Sequence, residues 1–147
     1  MLPFEVVDHT ADLAIVARGG TLAELCENAA RGLFAQIADL SQERPLGERV
    51  EIRLEAVEQE ELLLAWLREL LFLQETEHCV FTDFSVRVEG CYELVGVAQM
   101  GALLADEPLT AVKAVTYHDL RIVQAHGRWE VKSSSTCEGA QTAPQTR

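Results

Sequence analysis

Val50-Glu51-Ile52-Arg53-Leu54-Glu55-Ala56 and, three residues on, Gln59 to Glu75 carry two different periods in one stretch of chain. In the first part Val50, Ile52, Leu54 and Ala56 alternate with Glu51, Arg53 and Glu55, a repeat of two that gives a strand one apolar and one wet face. In the second, Leu62, Leu63, Trp66, Leu67, Leu70, Leu71 and Leu73 recur at the steps of a helix with a broad apolar face. Glu58, Glu60 and Glu61 stand near the N-terminus of that helix, where negative charge is favourable, so they are assigned to the helix end and not to a metal.

Upstream, Gly19-Gly20 makes a turn and Thr21-Leu22-Ala23-Glu24 has the form of a capping box. Leu22, Leu25, Cys26, Ala29, Ala30, Leu33, Phe34 and Ile37 then form one apolar helix face, read as core. Asp39 to Glu48, with Pro45 and Gly47, is expected to be a surface loop. Downstream, Phe84, Val86 and Val88 alternate, Gly90 turns the chain into Leu94 to Met100, and a polar link holding Asp106, Glu107 and Pro108 leads to Val112 through Tyr117 and Leu120 through Val123. His126-Gly127 has the look of a hairpin turn into Trp129-Glu130-Val131. Strands clustered after two helices, with short hairpins, predict an α+β fold: two helices packed on antiparallel β-sheets in a single compact domain.

At 147 residues and 48% hydrophobic content the chain suits one domain with a real core. Its longest uninterrupted apolar run, Leu62 to Leu67, is too short to span a bilayer, and the start has no basic region followed by an apolar one. A soluble, cytoplasmic protein is expected. Cys26, Cys79, Cys91 and Cys137 are scattered without a C-x-x-C pair, which favours plain thiols over a zinc site or a disulfide framework. The net charge of −12 argues against autonomous RNA or DNA binding. It suits cation binding or steering towards a basic partner, and it also serves solubility. No dinucleotide, P-loop, nucleophile-elbow or zinc-protease motif is present.

One short cluster stands out: Asp8-His9-Thr10-Ala11-Asp12, between the apolar runs Leu2 to Val7 and Leu13 to Val16. Carboxylates, an imidazole and a hydroxyl beside strands are costly to bury unless paired, hydrogen-bonded or metal-bound. Two readings stay open on the residues alone. One is a turn in which Asp8 or Thr10 bonds nearby backbone N–H groups. The other is a hard-cation site, with Asp oxygens suited to Mg²⁺, Ca²⁺ or Mn²⁺. A small metal-dependent phosphoesterase using Asp8, His9, Asp12 and His118 is the enzymatic alternative, though no motif for it is present.

Three landmarks then line up: His9-Thr10-Ala11-Asp12 after a short strand, the two helices with Val80-Phe81 following the second, and Lys113-Ala114-Val115-Thr116-Tyr117-His118. In these the chain resembles the archease family from Phe4 to about Val131. The resemblance implies a non-enzymatic activator of the GTP-dependent RNA ligase that joins 3′-phosphate to 5′-hydroxyl ends in tRNA splicing. Such an activator assists guanylation of the ligase and its multiple turnover. It also implies a divalent metal ion (Ca, Mg or Mn) held by the Asp of the HTAD motif, here Asp12, together with an acidic residue at the extreme C-terminus. His9, Lys113, Tyr117 and His118 are the candidates for the partner-facing surface. A general chaperone or adaptor for RNA-modifying enzymes is a further alternative.

The C-terminus departs from the family pattern, which closes on a strand like Val-Phe-Asp-Val. Here Val131-Lys132 is followed by Ser133-Ser134-Ser135-Thr136-Cys137-Glu138 and a polar tail. Residues 1–132 are therefore read as the archease-like domain and 133–147 as a disordered tail. Ser135 and Thr136 fall where the carboxylate is expected. One choice of synonymous codons for Lys132 to Glu138, AAG TCG TCT TCG ACG TGT GAG, reads from its third base as Val-Val-Phe-Asp-Val-stop. A frameshift near Lys132 is the hypothesis this suggests, and a coding sequence with incompatible codons would remove it.

Overall fold

A computed structural model describes residues 4–8, 12–107, 109, 112–115, 121–125 and 127–137, with side chains described for 17–107, 109, 122–124 and 127–130. Among the described residues, eight strands form two antiparallel sheets, accompanied by two helices. The first sheet contains β1 (Phe4–Asp8), β2 (Asp12–Gly19), β6 (Val112–Val115), β7 (Arg121–Ala125) and β8 (Arg128–Cys137). Strand β8 is its centre: β2 pairs along one side, while β7 and then β6 pair along the other. The second sheet has the order β3 (Leu46–Glu55), β5 (Glu93–Ala102), β4 (Cys79–Glu89). The α+β architecture expected from the sequence is the one observed.

Helix α1 (Leu22–Ile37) starts where the capping box places it. Thr21 Oγ1 accepts from the N–H of Glu24 at 3.0 Å. Glu24 reaches back one residue further than the motif requires, accepting from the N–H of Gly20 at 2.6 Å. Helix α2 (Gln59–Glu77) runs two residues beyond the expected end and stops on His78, whose left-handed φ of 53° ends it. Cys79 opens β4 as a buried residue. Strand β3 begins at Leu46, inside the stretch read as loop.

The described core packs the two helices against the second sheet and reaches Ala17 and Ile122 of the first. Leu25, Leu33, Phe34, Leu62, Leu63, Trp66, Leu67 and Leu70 are essentially excluded from solvent, as are Val80 and Phe81 of β4. Phe34 meets Phe81 edge-on at 5.6 Å between centroids, and Trp66 meets Phe84 edge-on at 6.2 Å. The indole N–H of Trp66 donates to the carbonyl of Cys26 at 3.0 Å, so its polar atom is satisfied inside the core.

A polar seam on α1 ties the sheets together. Asn28, buried, donates through Nδ2 to the carbonyl of Arg18 on β2 at 2.7 Å and accepts from Arg31 Nη1 at 2.8 Å. Arg31 Nη2 donates to the carbonyl of Phe84 at 3.2 Å, and Glu27 Oε2 accepts from the N–H of Val86 at 2.7 Å. Both Phe84 and Val86 lie on β4, so α1 closes that edge of the sheet by satisfying backbone groups that would otherwise stand unpaired.

Candidate functional site

The sequence directs attention to Asp12, and the fold places it in a defined row. Strand β2 opens at Asp12, and its register with β8 pairs Arg18 with Glu130, Leu13 with Ser135 and Asp12 with Thr136. That register is held by the ion pair between Arg18 Nε and Glu130 Oε2 at 3.1 Å, and by Ala17, fully buried on the next position. On the far side of β8, Thr136 pairs with Ala114 of β6 and Ser135 with Val115. Positions 12, 136 and 114 therefore stand side by side across three strands. Lys113 lies where the β6–β8 register shifts, between Val112 opposite Cys137 and Ala114 opposite Thr136, and such bulges re-aim side chains at the rims of sheets.

The boundary drawn after Lys132 falls inside β8. The strand continues through Ser133 to Cys137: β2 pairs with it as far as Thr136, and β6 pairs with Ser135, Thr136 and Cys137. Backbone pairing does not require apolar side chains, and Thr is a good strand former. Residues 138–147 lie outside the described residues.

His9, Tyr117 and His118 also lie outside the described residues, and the side chains of Asp12 and Lys113 are not described, so only the backbone positions of the last two are given. Asp8 pairs with Leu13, one step out of register from Asp12. Among the described residues no group of three or more His, Cys, Asp or Glu could hold a metal ion. Among the described residues the ladder partner of Asp12 is Thr136, a neutral hydroxyl residue, and beyond it across β8 stands Ala114. A hard divalent cation takes six or more oxygens, usually including several carboxylates. The described row supplies one, so it does not by itself complete a cation site.

The link that feeds β6 is anchored in a way the sequence did not reveal. Arg44, in the loop before β3, clasps Glu107 with two bonds, Nη1 to Oε1 and Nη2 to Oε2, each 2.8 Å. The side chains are 2% and 6% exposed. Arg44 also donates to the carbonyls of Ala102 and Asp39, and Glu107 accepts from the N–H of Leu104 at 3.0 Å. The Arg44 hydrogen bonds and the Leu104 N–H hold the Glu107 carboxyl below its ordinary range. The two residues are 63 positions apart, and neither belongs to a motif.

The thiols divide by burial. Burial pushes Cys26 up to about 12, with Glu27 adding to the shift, and burial and then Glu77 push Cys79 up to about 11. Cys91 is exposed in the turn between β4 and β5. None of these three pairs as a disulfide. No helix among the described residues is long and apolar enough to cross a membrane.

Comparison with known proteins bears on the whole of this region. The chain is 38% identical over 133 residues to the protein archease of Methanopyrus kandleri, covering 87% of this chain and 94% of the relative. It is 39% identical over 137 residues to that of Pyrococcus furiosus, covering 88% and 94%. The solution structure of Methanobacterium thermoautotrophicum protein 1598 superposes with a TM-score of 0.75 at 29% identity, covering 91% of this chain and 98% of that one. A crystal structure from Thermotoga maritima, described as an archease and possible chaperone, shares the fold with a TM-score of 0.61 at 21% identity, covering 88% and 94%. The sequence profile of the Archease protein family (MTH1598/TM1083) matches residues 4–133, nearly the whole laddered fold, and the chain belongs to that family.

Proposed function

We propose that this protein acts in the cytoplasm as a metal-binding activator of the GTP-dependent RNA ligase that joins 3′-phosphate to 5′-hydroxyl ends in tRNA splicing, promoting guanylation of the ligase and its repeated turnover. The observation that carries the reading is membership of the archease family over residues 4–133. The net charge of −12 supports it, because an acidic body is steered towards the basic cleft of a nucleic-acid enzyme. In this reading Asp12 is the metal-binding carboxylate, and His9, Lys113, Tyr117 and His118 face the partner.

The β2–β8 register sharpens the role of the C-terminal end. If everything after Lys132 is replaced by Val-Val-Phe-Asp-Val, the Asp falls at position 136, the ladder partner of Asp12. Directly opposed positions on an antiparallel pair bring Cβ atoms to about 4.5–5.5 Å, close enough for two carboxylates to share one cation. Thr136 offers no such charge, so metal affinity in this chain is expected to be weaker than in the variant Thr136→Asp.

The test is multiple-turnover ligation by the cognate ligase with GTP and Mg²⁺, run with the chain as it stands, with Thr136→Asp and with Asp12→Ala. Stimulation that rises with Thr136→Asp and disappears with Asp12→Ala is the expected result. No stimulation by any folded version refutes the activator reading. Equal stimulation by all three would move the assignment towards a chaperone or adaptor that needs no metal, and phosphoester hydrolysis by the purified protein alone would favour the enzymatic alternative.

A further inference from the structure

We propose that the open edge of β3 pairs with the same edge of a second copy of this chain, antiparallel about a two-fold axis at Ile52, joining two three-stranded sheets into one of six strands. This is independent of the activator reading.

The second sheet has two edges, and the protein treats them differently. The β4 edge is closed by Glu27 and Arg31 of α1. Strand β3, at the other edge, is ten residues long, and no strand among the described residues pairs with its outer side. A long unpaired edge is a template for another strand. The parity of the β3–β5 ladder identifies which backbone groups point outward. Ala56 donates to the carbonyl of Tyr92, so Ile52 and Leu54, in the same parity, exchange bonds with β5. The N–H and C=O groups of Glu51, Arg53 and Glu55 then point off the edge. The side chains of Arg49, Glu51, Arg53 and Glu55 are all exposed, whereas Ile52 is buried.

The charges of this edge select one register. With Ile52 on the axis, Glu51 faces Arg53 of the second copy and Arg49 faces its Glu55, each twice by symmetry, and every such pair is one whose backbone groups point towards the partner. Moving the axis to Glu51 or to Arg53 sets like charges opposite one another. Moving it to Val50 or Leu54 keeps only half of the opposite-sign pairs. Opposite charges directly across an antiparallel pair stabilise it and like charges oppose it. In the single chain Arg53 Nη2 rests on Glu51 Oε2 at 3.1 Å, with side chains 70% and 53% exposed, so the pair can be exchanged for one across the axis at little cost.

The ends of the edge fit the same register. Leu46 and Val57 are exposed apolar residues at opposite ends of β3. Pairing about Ile52 brings Val57 opposite Gly47 of the second copy, beside its Leu46. An open groove of about 570 Å³, lined by Ala56, Val57, Leu64 and Ala65 with Glu55, Glu61 and Arg68, lies at that end to receive it. The net charge of −12 on each copy opposes association in general, but charges beyond about 8 Å are screened at physiological ionic strength, whereas the cross-strand pairs are in contact.

The experiment is sedimentation equilibrium of the full chain at micromolar concentrations and physiological salt. The expected mass is twice the 16.3 kDa of one chain. Arg53→Glu and Glu51→Arg each place like charges at two of the facing positions and should weaken the dimer about tenfold or more. A one-to-one mixture of these two variants restores opposite charges at both positions, and only the mixture should recover a dimer of wild-type strength. Circular dichroism melting of each variant checks that the fold is kept. A wild-type chain that stays monomeric overturns the proposal, as does a dimer that the single variants leave intact or that the mixture fails to restore. Those last two results would assign association to another surface or register.

Discussion

Substituting Gly96 by Ala should destabilise the protein far more than one methyl group ordinarily would. Gly96 lies mid-strand on β5 opposite Ile52, and a Cβ there would stand 2.5 Å from Trp66 Cζ3 and 2.7 Å from Cη2. Carbon atoms in favourable contact sit about 3.5–4.0 Å apart, so the ring must retreat by about 1 Å. It has little freedom to do so, being fully buried, tied to the Cys26 carbonyl and packed edge-on against Phe84. Overpacking of a tight core costs about 1–3 kcal/mol, and this site belongs near the top of that range. Alanine recovers about 0.5–1 kcal/mol over glycine in a strand. The net expectation is about 2 kcal/mol, lowering Tm by about 6 °C for a chain of this length. The control is Trp66→Phe, which removes the six-membered ring of the indole and with it both crowded atoms. In that background Gly96→Ala should cost at least about 1 kcal/mol less, a coupling read from a double-mutant cycle. Urea unfolding followed by far-ultraviolet circular dichroism gives all four stabilities. A Gly96→Ala protein within about 0.5 kcal/mol of wild type, the usual scale of a neutral surface change, or an equal cost in both backgrounds, would refute the reasoning.

Glu107→Gln should destabilise by about 2 kcal/mol, below the usual 3–5 for breaking a buried ion pair because the amide oxygen can still accept from Arg44. Since the folded state lowers the Glu107 pKa, its contribution is complete above the ordinary Glu range and is lost as pH falls through the folded value. The stability gap between wild type and Glu107→Gln should thus hold constant from neutral pH into the mildly acidic range and close below it, as measured by urea titrations across pH. Alkylation at pH 8 followed by peptide mass spectrometry should label Cys91 quickly, and Cys26 and Cys79 only as fast as the protein unfolds, because their thiolates are scarce and buried. Labelling of Cys26 at the rate of Cys91 would contradict the packing of α1.

The parts of the fold that depend on neighbours in sequence were legible. Thr21 and Glu24 lie three residues apart and mark the start of α1 by local hydrogen bonds. The leucines of α2 announce its buried face by spacing alone, and Gly90 and Gly127, at φ 52° and 71°, sit in turns that the sequence marks. What depends on distant partners was not legible. Nothing near Arg44 points to Glu107, and nothing near Asn28 shows that it joins the carbonyl of Arg18 to the guanidinium of Arg31. Ser133 to Cys137 read as a tail from their polarity, whereas the strands they pair with, β2 and β6, lie far away in sequence. The same holds for the candidate site. Asp12 can be singled out from its own segment, but that it stands beside position 136 is a property of register, which only the assembled sheet supplies.

The position of β8 has a consequence for how the protein is made. Of the described strands, the one at the centre of the first sheet is the last in chain order, and its ion pair from Arg18 to Glu130 spans 112 residues of chain. Until β8 emerges, the β1–β2 hairpin has no long partner and β6 and β7 have no strand to join. Such late, non-local pairing gives a high contact order and folding on the millisecond-to-second scale. During synthesis the second sheet and the two helices can collapse first, leaving an unclosed sheet for chaperones to protect. Changes to the coding sequence around residues 133–137 therefore act on the closing step of folding, and their first visible effect should be on the yield of soluble protein.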